Sequence, residues 1–99
     1  MAVLTMFKIK GDTDQLLQTM QERIDPIVEP VARSNGAIEH IKVRTDDGVM
    51  IVNLWETLEG SEKTAEQVRP KIQEVAGEGG PEQSDWQSYE VADRRVVQS

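Results

Sequence analysis

The chain has 99 residues, with 18 acidic and 11 basic side chains and a net charge of −7. A chain of this length is expected to form one domain, so we predict a single domain over residues 1–99. A negative field repels phosphate backbones and anionic lipid, which predicts no nucleic-acid partner and no membrane partner. The absence of cysteine excludes disulfides, thiolate metal sites and a cysteine nucleophile.

The apolar stretch from Met1 to Phe7 ends at Lys8, far short of a membrane span or a signal-peptide core. With no cysteine to protect or oxidise, the simplest prediction is a cytoplasmic protein. The chain has one histidine, which cannot form a metal site alone, and we predict no metal.

The first half of the chain predicts a strand followed by an interrupted helix. Residues Val3 to Lys10 are β-branched, aromatic and apolar, as is typical of a strand. Apolar residues then recur at three- and four-residue spacing from Leu16 to Val31, which predicts an amphipathic helix. Pro26 and Pro30 lie inside that stripe, so we predict a kink or a break near Asp25.

The second half repeats the order of strand, helix and strand after a helix stop at Gly36. The predicted elements are a strand over 37–45, a turn over 46–48, a strand over 49–56, a helix beginning at 58–61, a glycine-rich loop over 77–81 and a strand over 84–92. The tail from Asp93 either extends the last strand or frays. The order βαββαβ predicts an α+β, ferredoxin-like fold with one four-stranded antiparallel sheet and two helices on one face.

Alternation along the central hairpin separates its side chains into two faces. A two-residue loop predicts that His40 lies beside Trp55, Lys42 beside Asn53 and Arg44 beside Ile51. The opposite face is almost purely apolar and contains Ile41, Val43, Met50, Val52 and Leu54. Because helices cover apolar surface, we predict that this apolar face lies under them.

The face with His40 and Trp55 is then left uncovered, although it also has Val49 and Ile51. An exposed apolar patch of this kind favours association. We therefore predict a twofold homodimer that packs sheet face to sheet face, with room for a cavity where packing is incomplete.

Three side chains of the central hairpin are candidates for chemistry. His40 is the candidate for proton transfer, and its alternative is a structural histidine that hydrogen-bonds or stacks on Trp55. Asn53 needs a polar partner, which is Lys42, the second subunit, water or a ligand. Arg44 is a candidate for binding an anion, and its alternative is an ion pair with a glutamate across the dimer.

Two aromatic residues are candidates for substrate contact. Trp55 either packs in the barrel or orients an aromatic ring. Tyr89 and Trp86 are an odd number of residues apart, which predicts opposite faces of the last strand.

Several short features of the chain occur together in one known superfamily. Trp55-Glu56-Thr57 follows an apolar strand, Gly36 stops the first helix, and Tyr89-Glu90-Val91 lies in the last strand. In these features the chain resembles the dimeric α+β barrel superfamily, and within it the antibiotic-biosynthesis-monooxygenase-like domains. The resemblance covers most of the chain from Val3 to Val91.

The resemblance implies one of three kinds of protein. Cofactor-free oxygenases of aromatic polyketides hold a phenol between Asn, Trp, Tyr and Arg side chains, and Asn53, Trp55, Tyr89 and Arg44 are of those types. Haem-degrading members use an Asn on the first strand and a His with a Trp on the second helix, all absent here. Other members are catalytically silent, stress-related barrels.

Two functions follow as hypotheses. The first is a homodimeric barrel that binds a small hydrophobic or aromatic molecule and performs cofactor-free oxidation or a proton-transfer rearrangement. In it, His40 and Asn53 are catalytic, and Arg44, Trp55 and Tyr89 bind substrate. The alternative is a non-catalytic, stress-related or interaction barrel with a packed interior. An enclosed pocket that reaches His40 or Asn53 would favour the first hypothesis.

Overall fold

Four antiparallel strands form one sheet in the order β2-β3-β1-β4 in a computed structural model that describes residues 1–76 and 83–98. The strands are β1 (Val3–Lys10), β2 (Ala37–Thr45), β3 (Gly48–Trp55) and β4 (Gln83–Glu90). The helices are α1 (Thr13–Thr19), a π-helical turn (Met20–Ile24), α2 (Asp25–Ser34) and α3 (Leu58–Ala76). The predicted ferredoxin-like α+β fold is confirmed. The predicted glycine-rich loop lies outside the described residues.

The first helical segment is divided by a π-helical turn that ends next to Asp25 and Pro26. Asp12 caps α1 by accepting a hydrogen bond from the amide of Gln15 at 2.9 Å. The chain then passes through the π-helical turn into α2, which begins at Asp25. Pro26 lies at the start of α2, directly after the π-helical turn, in which the amide of Asp25 donates to the carbonyl of Met20 five residues earlier. The predicted break near Asp25 is confirmed.

The end of α2 docks on α3 by close backbone packing. Gly36 has φ of +91°, the left-handed conformation predicted for a helix stop. The side-chain amide of Asn35 donates to Oγ1 of Thr64 at 3.0 Å and to Oε1 of Gln67 at 3.1 Å. A Cβ on Gly60 would collide with the carbonyl oxygen of Asn35. The two helices therefore form one layer with little freedom to slide.

The helix layer covers the opposite face of the sheet from the one predicted. Ile9, Val49 and Ile51 form the buried core with Leu16 and Met20 of the helices. Strand register places His40, Asn53 and Trp55 on that same face. The prediction was wrong because it took the most apolar face to be the covered one. Here the helices also supply two aspartates that pair with basic side chains of β2, so a covered face can hold charge.

The register between β2 and β3 differs from the predicted one by one residue pair. The loop is Asp46-Asp47, so that Thr45 pairs with Gly48 and His40 pairs with Asn53, not with Trp55. Gly48 is the first residue of β3, and only glycine fits there because a Cβ would collide with the carbonyl of Ile9. A shift of a whole pair preserves faces, so the two predicted sets of side chains are confirmed.

The sheet face away from the helices is called the open face below. Its apolar residues, placed by strand register, are Leu4, Met6, Ile41, Val43, Met50, Val52, Leu54 and Tyr89. Its described charged residues are Lys8 and Lys10 toward one end of the face and Glu39 at the other. The segment 91–98 follows β4 without regular structure, and the last strand is thus shorter than predicted. Within the described ranges, no helix is long and apolar enough to cross a bilayer.

We expect Gly60→Ala to destabilise the fold by about 1–3 kcal/mol, because the added methyl group must displace the carbonyl of Asn35. Helix propensity alone predicts the opposite sign, a gain of roughly 0.5–1 kcal/mol. Urea denaturation measures the free energy of unfolding. Glu62→Ala on the exposed surface of α3 is the control and should change little. A stabilised Gly60→Ala variant would contradict the close packing of α2 on α3.

Candidate functional site

Three alternate residues of edge strand β2 face the helix layer and form a polar row: His40, Lys42 and Arg44. Each is held by a partner from a different element. His40 meets Asn53 of β3, Lys42 meets Asp25 at the start of α2, and Arg44 meets Asp14 of α1. The row is therefore the place where the sheet edge and the helix layer join.

The imidazole of His40 and the amide of Asn53 form a hydrogen bond between Nδ1 and Oδ1. An amide oxygen can only accept, so Nδ1 of His40 is the donor and carries the proton. In the neutral ring this leaves Nε2 unprotonated, and the side chain of His40 is exposed. In the tautomer that this bond requires, the other ring nitrogen of His40 can accept a proton from an incoming molecule.

The ion pair of Lys42 with Asp25 is the more buried of the two on β2. Its Nζ and Oδ2 atoms lie 2.7 Å apart, and the side chains are only 15% and 26% exposed. The π-helical turn ends immediately before Asp25, which brings the first turn of α2 to Lys42. Because Lys42 pairs with Asp25, it is not the partner of Asn53. The partner of Asn53 is His40, which is none of the four predicted partners.

Arg44, at the other end of the row, forms the more exposed of the two ion pairs. Its Nη1 lies 2.9 Å from Oδ1 of Asp14, and both side chains are mostly in solvent. The predicted partner of Arg44 was either an anionic ligand or a glutamate of the second subunit. The acid is instead an aspartate of the same chain, and an exposed pair of this kind is weak.

Trp55 is buried in the wall of the sheet, only 5% exposed. Its Nε1 donates to Oγ1 of Thr5 at 3.0 Å. Thr5 is fully buried and lies opposite Asn53 in the β1–β3 register. Thr5 was not among the predicted site residues, although its alternation with Val3 and Phe7 places it on the helix-covered face with Asn53. Trp55 therefore anchors β3, the strand that carries Asn53, to β1. The neighbour of His40 on β3 is Asn53, whereas the predicted neighbour was Trp55.

The two aromatic residues of β4 lie on opposite faces, as predicted. Trp86 stacks on Phe7 of the helix-covered face, with ring centroids 5.1 Å apart. Tyr89 pairs with Leu4 on the open face, and its hydroxyl donates to Oε1 of Gln87 at 2.7 Å. The sheet therefore separates Tyr89 from His40 and Asn53.

Two clefts open elsewhere on the described surface. One, of about 390 Å³, lies among Met1, Leu58 and Tyr89. The other, of about 480 Å³, lies between the end of the sheet and the segment 93–98. Neither is lined by His40 or Asn53. In residues 1–76 and 83–98, no group of three His, Cys, Asp or Glu side chains is arranged to hold a metal.

Comparison with known proteins gives matches in structure. No protein-family model matches the sequence, and no curated protein sequence is significantly similar. A dimeric ferredoxin-like protein from an uncultured marine organism superposes with a TM-score of 0.69 at 15% identity, covering 97% of this chain and 99% of that one. The chain thus has the fold of that protein.

Two further structures carry names that refer to oxygenation. A variant of SnoaB, a cofactor-independent oxygenase from Streptomyces nogalater, matches with a TM-score of 0.62 at 11% identity over 94% of this chain and 93% of that one. A candidate antibiotic biosynthesis monooxygenase from Chloroflexus aurantiacus matches with a TM-score of 0.63 at 13% identity over 99% and 100%. These neighbours confirm the resemblance in fold to antibiotic-biosynthesis-monooxygenase-like proteins.

The two ion pairs of β2 should differ in their contribution to stability. We expect Asp25→Asn to cost about 1–2 kcal/mol, because it leaves the half-buried Lys42 ammonium without a counter-charge. Asp14→Asn is the matched control, since Asp14 also lies in the first turn of a helix, and it should cost less than about 1 kcal/mol. Urea denaturation with and without 1 M salt measures both. Equal costs that vanish together in salt would contradict a structural role for the buried pair.

Proposed function

We propose that the chain forms a homodimeric α+β barrel that binds a small aromatic or other hydrophobic molecule beside His40 and Asn53. In this proposal the barrel performs a proton-transfer rearrangement or a cofactor-free oxidation. The observation that carries the proposal is the hydrogen bond between Nδ1 of His40 and Oδ1 of Asn53, which leaves Nε2 of this exposed side chain without a hydrogen-bond partner among the described residues. A histidine held in one tautomer by a neighbouring strand has the geometry of a general base.

The first chemical step is the transfer of a proton from a phenol or an activated C–H group to Nε2 of His40. The ring becomes an imidazolium, which the carbonyl of Asn53 stabilises through the Nδ1–H bond. The substrate becomes a phenolate or enolate. That anion can take its proton back at another atom, which is a rearrangement. Alternatively, a carbanion at an activated CH2 group can transfer electrons to dioxygen and form a C–O bond. Loss of water then leaves a carbonyl group, so one oxygen atom enters the product, the other leaves as water, and the substrate supplies the electrons.

Arg44 is proposed to receive the anionic end of the ligand. It lies four residues from His40 on the same face of β2, which corresponds to about 13 Å along a strand. Its present partner Asp14 is exposed, so a ligand carboxylate or phenolate can replace that aspartate at little cost. A rigid ligand of two or three fused rings has the matching length. Trp55 is proposed to act on this site by packing the strand of Asn53.

The location of the clefts restricts where the ligand can bind. Neither of the two clefts is lined by His40 or Asn53, and the side chain of His40 is exposed, so we place the proposed site at the solvent-facing margin of β2. Tyr89 lies on the open face, on the other side of the sheet, so it does not contact a ligand bound beside His40 and Asn53.

A second candidate function, a non-catalytic interaction barrel, is supported by a different observation. The polar side chains of the β2 row are paired within the chain, and the described clefts lie away from them. A row whose polar groups are paired within the chain is what a purely structural face requires. In this reading His40 and Asn53 only join β2 to β3.

The proposed homodimer packs through the open face, not through the face with His40. Ile41 and Tyr89 are both exposed on that face, and they would be covered by a second copy. The dimeric ferredoxin-like neighbour supports this assembly for the fold. We also propose a cytoplasmic location, which fits a chain without cysteine.

The tautomer of His40 is measurable without any ligand, because the chain has a single histidine. Long-range ¹H–¹⁵N NMR of the ring nitrogens should show the Nδ1–H tautomer at a pH where the ring is neutral. Asn53→Ala should shift the population toward the Nε2–H tautomer, and Arg44→Gln, which leaves the pair intact, should not. An Nε2–H tautomer in the unsubstituted protein would contradict the proposed base.

Ligand binding is tested with phenols, naphthols, quinones and aromatic carboxylic acids. We expect some of them to raise the melting temperature and to move the His40 ring resonances. His40→Ala and Asn53→Ala should abolish the rise in melting temperature, and Asn53→Ala should also abolish the shift of the His40 ring resonances. The exposed control Lys63→Ala should retain both responses. If no compound affects the unsubstituted protein, the ligand hypothesis fails and the non-catalytic barrel remains.

The dimer is tested by light scattering and sedimentation equilibrium at micromolar concentration. Ile41→Lys places a charge within the proposed interface, midway along edge strand β2, and should weaken association at least about 10-fold. Val75→Lys, on the exposed side of α3, is the control and should leave association unchanged. A monomeric unsubstituted protein, or equal effects of the two variants, would exclude the open face as the interface.

A further inference from the structure

The C-terminal segment Val91–Gln98, called the arm below, runs across one end of the open face. The amide of Val91 donates to the carbonyl of Ala2 at 2.9 Å, which fixes the start of the arm beside β1. From there the arm shares a cleft with Leu4 of β1, Leu54 of β3 and Glu39 of β2. The arm therefore lies beside β1, β3 and β2 at one end of the open face.

The far end of the arm presents apolar surface that its own chain does not cover. Val96 is 78% exposed and Val97 is 92% exposed. Leu54, in the cleft beneath the arm, is by contrast buried, although it lies on the open face. Two adjacent exposed valines beside an apolar sheet face are a feature that a second protein surface would cover.

The size of the open face supports a second copy of the chain as the partner. Four strands about 4.8 Å apart and eight residues long, at about 3.3 Å each, give a flat face of roughly 500 Å². A stable interface buries roughly 800 Å² on each partner. The open face alone falls short of that area, and an extended arm of eight residues that borders it supplies the remainder.

The centre of the open face suits an apolar partner. The described charged residues of that face are Lys8 and Lys10 toward one end and Glu39 at the other. The arm contains Asp93, Arg94 and Arg95, and Arg95 pairs with Asp93 at 3.3 Å. The apolar residues of the arm, not its charges, therefore provide the contact with a second copy.

We propose that the arm binds a second copy of this chain, with Val96 and Val97 as its apolar anchors on the partner's open face. The inference rests on the proposed dimer and adds a specific element to it. In a twofold dimer, each copy provides one arm and receives one arm, so the two contacts form together. The sheet-to-sheet contact then needs the arms to reach full strength.

Sedimentation equilibrium on the full-length chain tests the arm. Val96→Ser combined with Val97→Ser should raise the Kd of the dimer at least about 10-fold. Val75→Ser is the matched control, because it makes the same change at another exposed valine, and it should leave Kd unchanged. Thermal unfolding monitored at a concentration where each protein is monomeric checks that the fold is intact.

The outcomes separate the arm from the dimer. A dimeric unsubstituted protein whose Kd does not change in the double variant would overturn the arm while leaving the open-face dimer in place. A monomeric unsubstituted protein would overturn both. As a second measurement, Val97→Cys and Ile41→Cys chains are mixed and oxidised, which is clean because the chain has no other cysteine. A disulfide between the two different chains supports the arm, and its absence in a dimeric mixture counts against it.

Discussion

The pairing of β2 with β3 determines most of what distinguishes this protein. The two-residue loop Asp46-Asp47 and the close approach of Gly48 to Ile9 fix one register. In that register His40 faces Asn53, and the basic side chains of β2 point at the helix layer. The same register places the most apolar side chains on the open face. A slip by one residue would exchange the two faces and remove both the polar row and the open face.

The helix layer adapts to a covered face that carries charge. A π-helical turn and Pro26 bring Asp25 to Lys42, and α1 brings Asp14 to Arg44. These contacts make a charged edge strand compatible with helix packing, because each basic group has an acidic partner. The apolar interior is correspondingly concentrated on the central strands β1 and β3. Polar pairing at the edge and apolar packing at the centre together hold the layers.

The element order could be predicted from the sequence because local signals carry it. Gly36, Pro26 and the apolar run of β3 indicate the ends and types of the elements without tertiary information. The choice of covered face could not be predicted, because it depends on aspartates that come from distant helices. The partner of Asn53 was missed for a related reason, since a register error of one pair moved His40 opposite Trp55. Trp55 is buried, so the structure shows its packing, and its proposed effect on a ligand acts through the strand of Asn53. The only sequence signal for buried Thr5 was its alternation with Val3 and Phe7.

The central claim is that the two faces have separate roles: helices and the His40 row on one, a second copy on the other. NMR of a mixed sample, with half the chains ¹³C,¹⁵N-labelled and half unlabelled, tests this most directly. Isotope-filtered NOEs should connect methyl groups of Ile41, Val52 and Met6 across the two copies. Intermolecular NOEs from Val49 or Ile51, or none in a sample shown to be dimeric, would contradict the account.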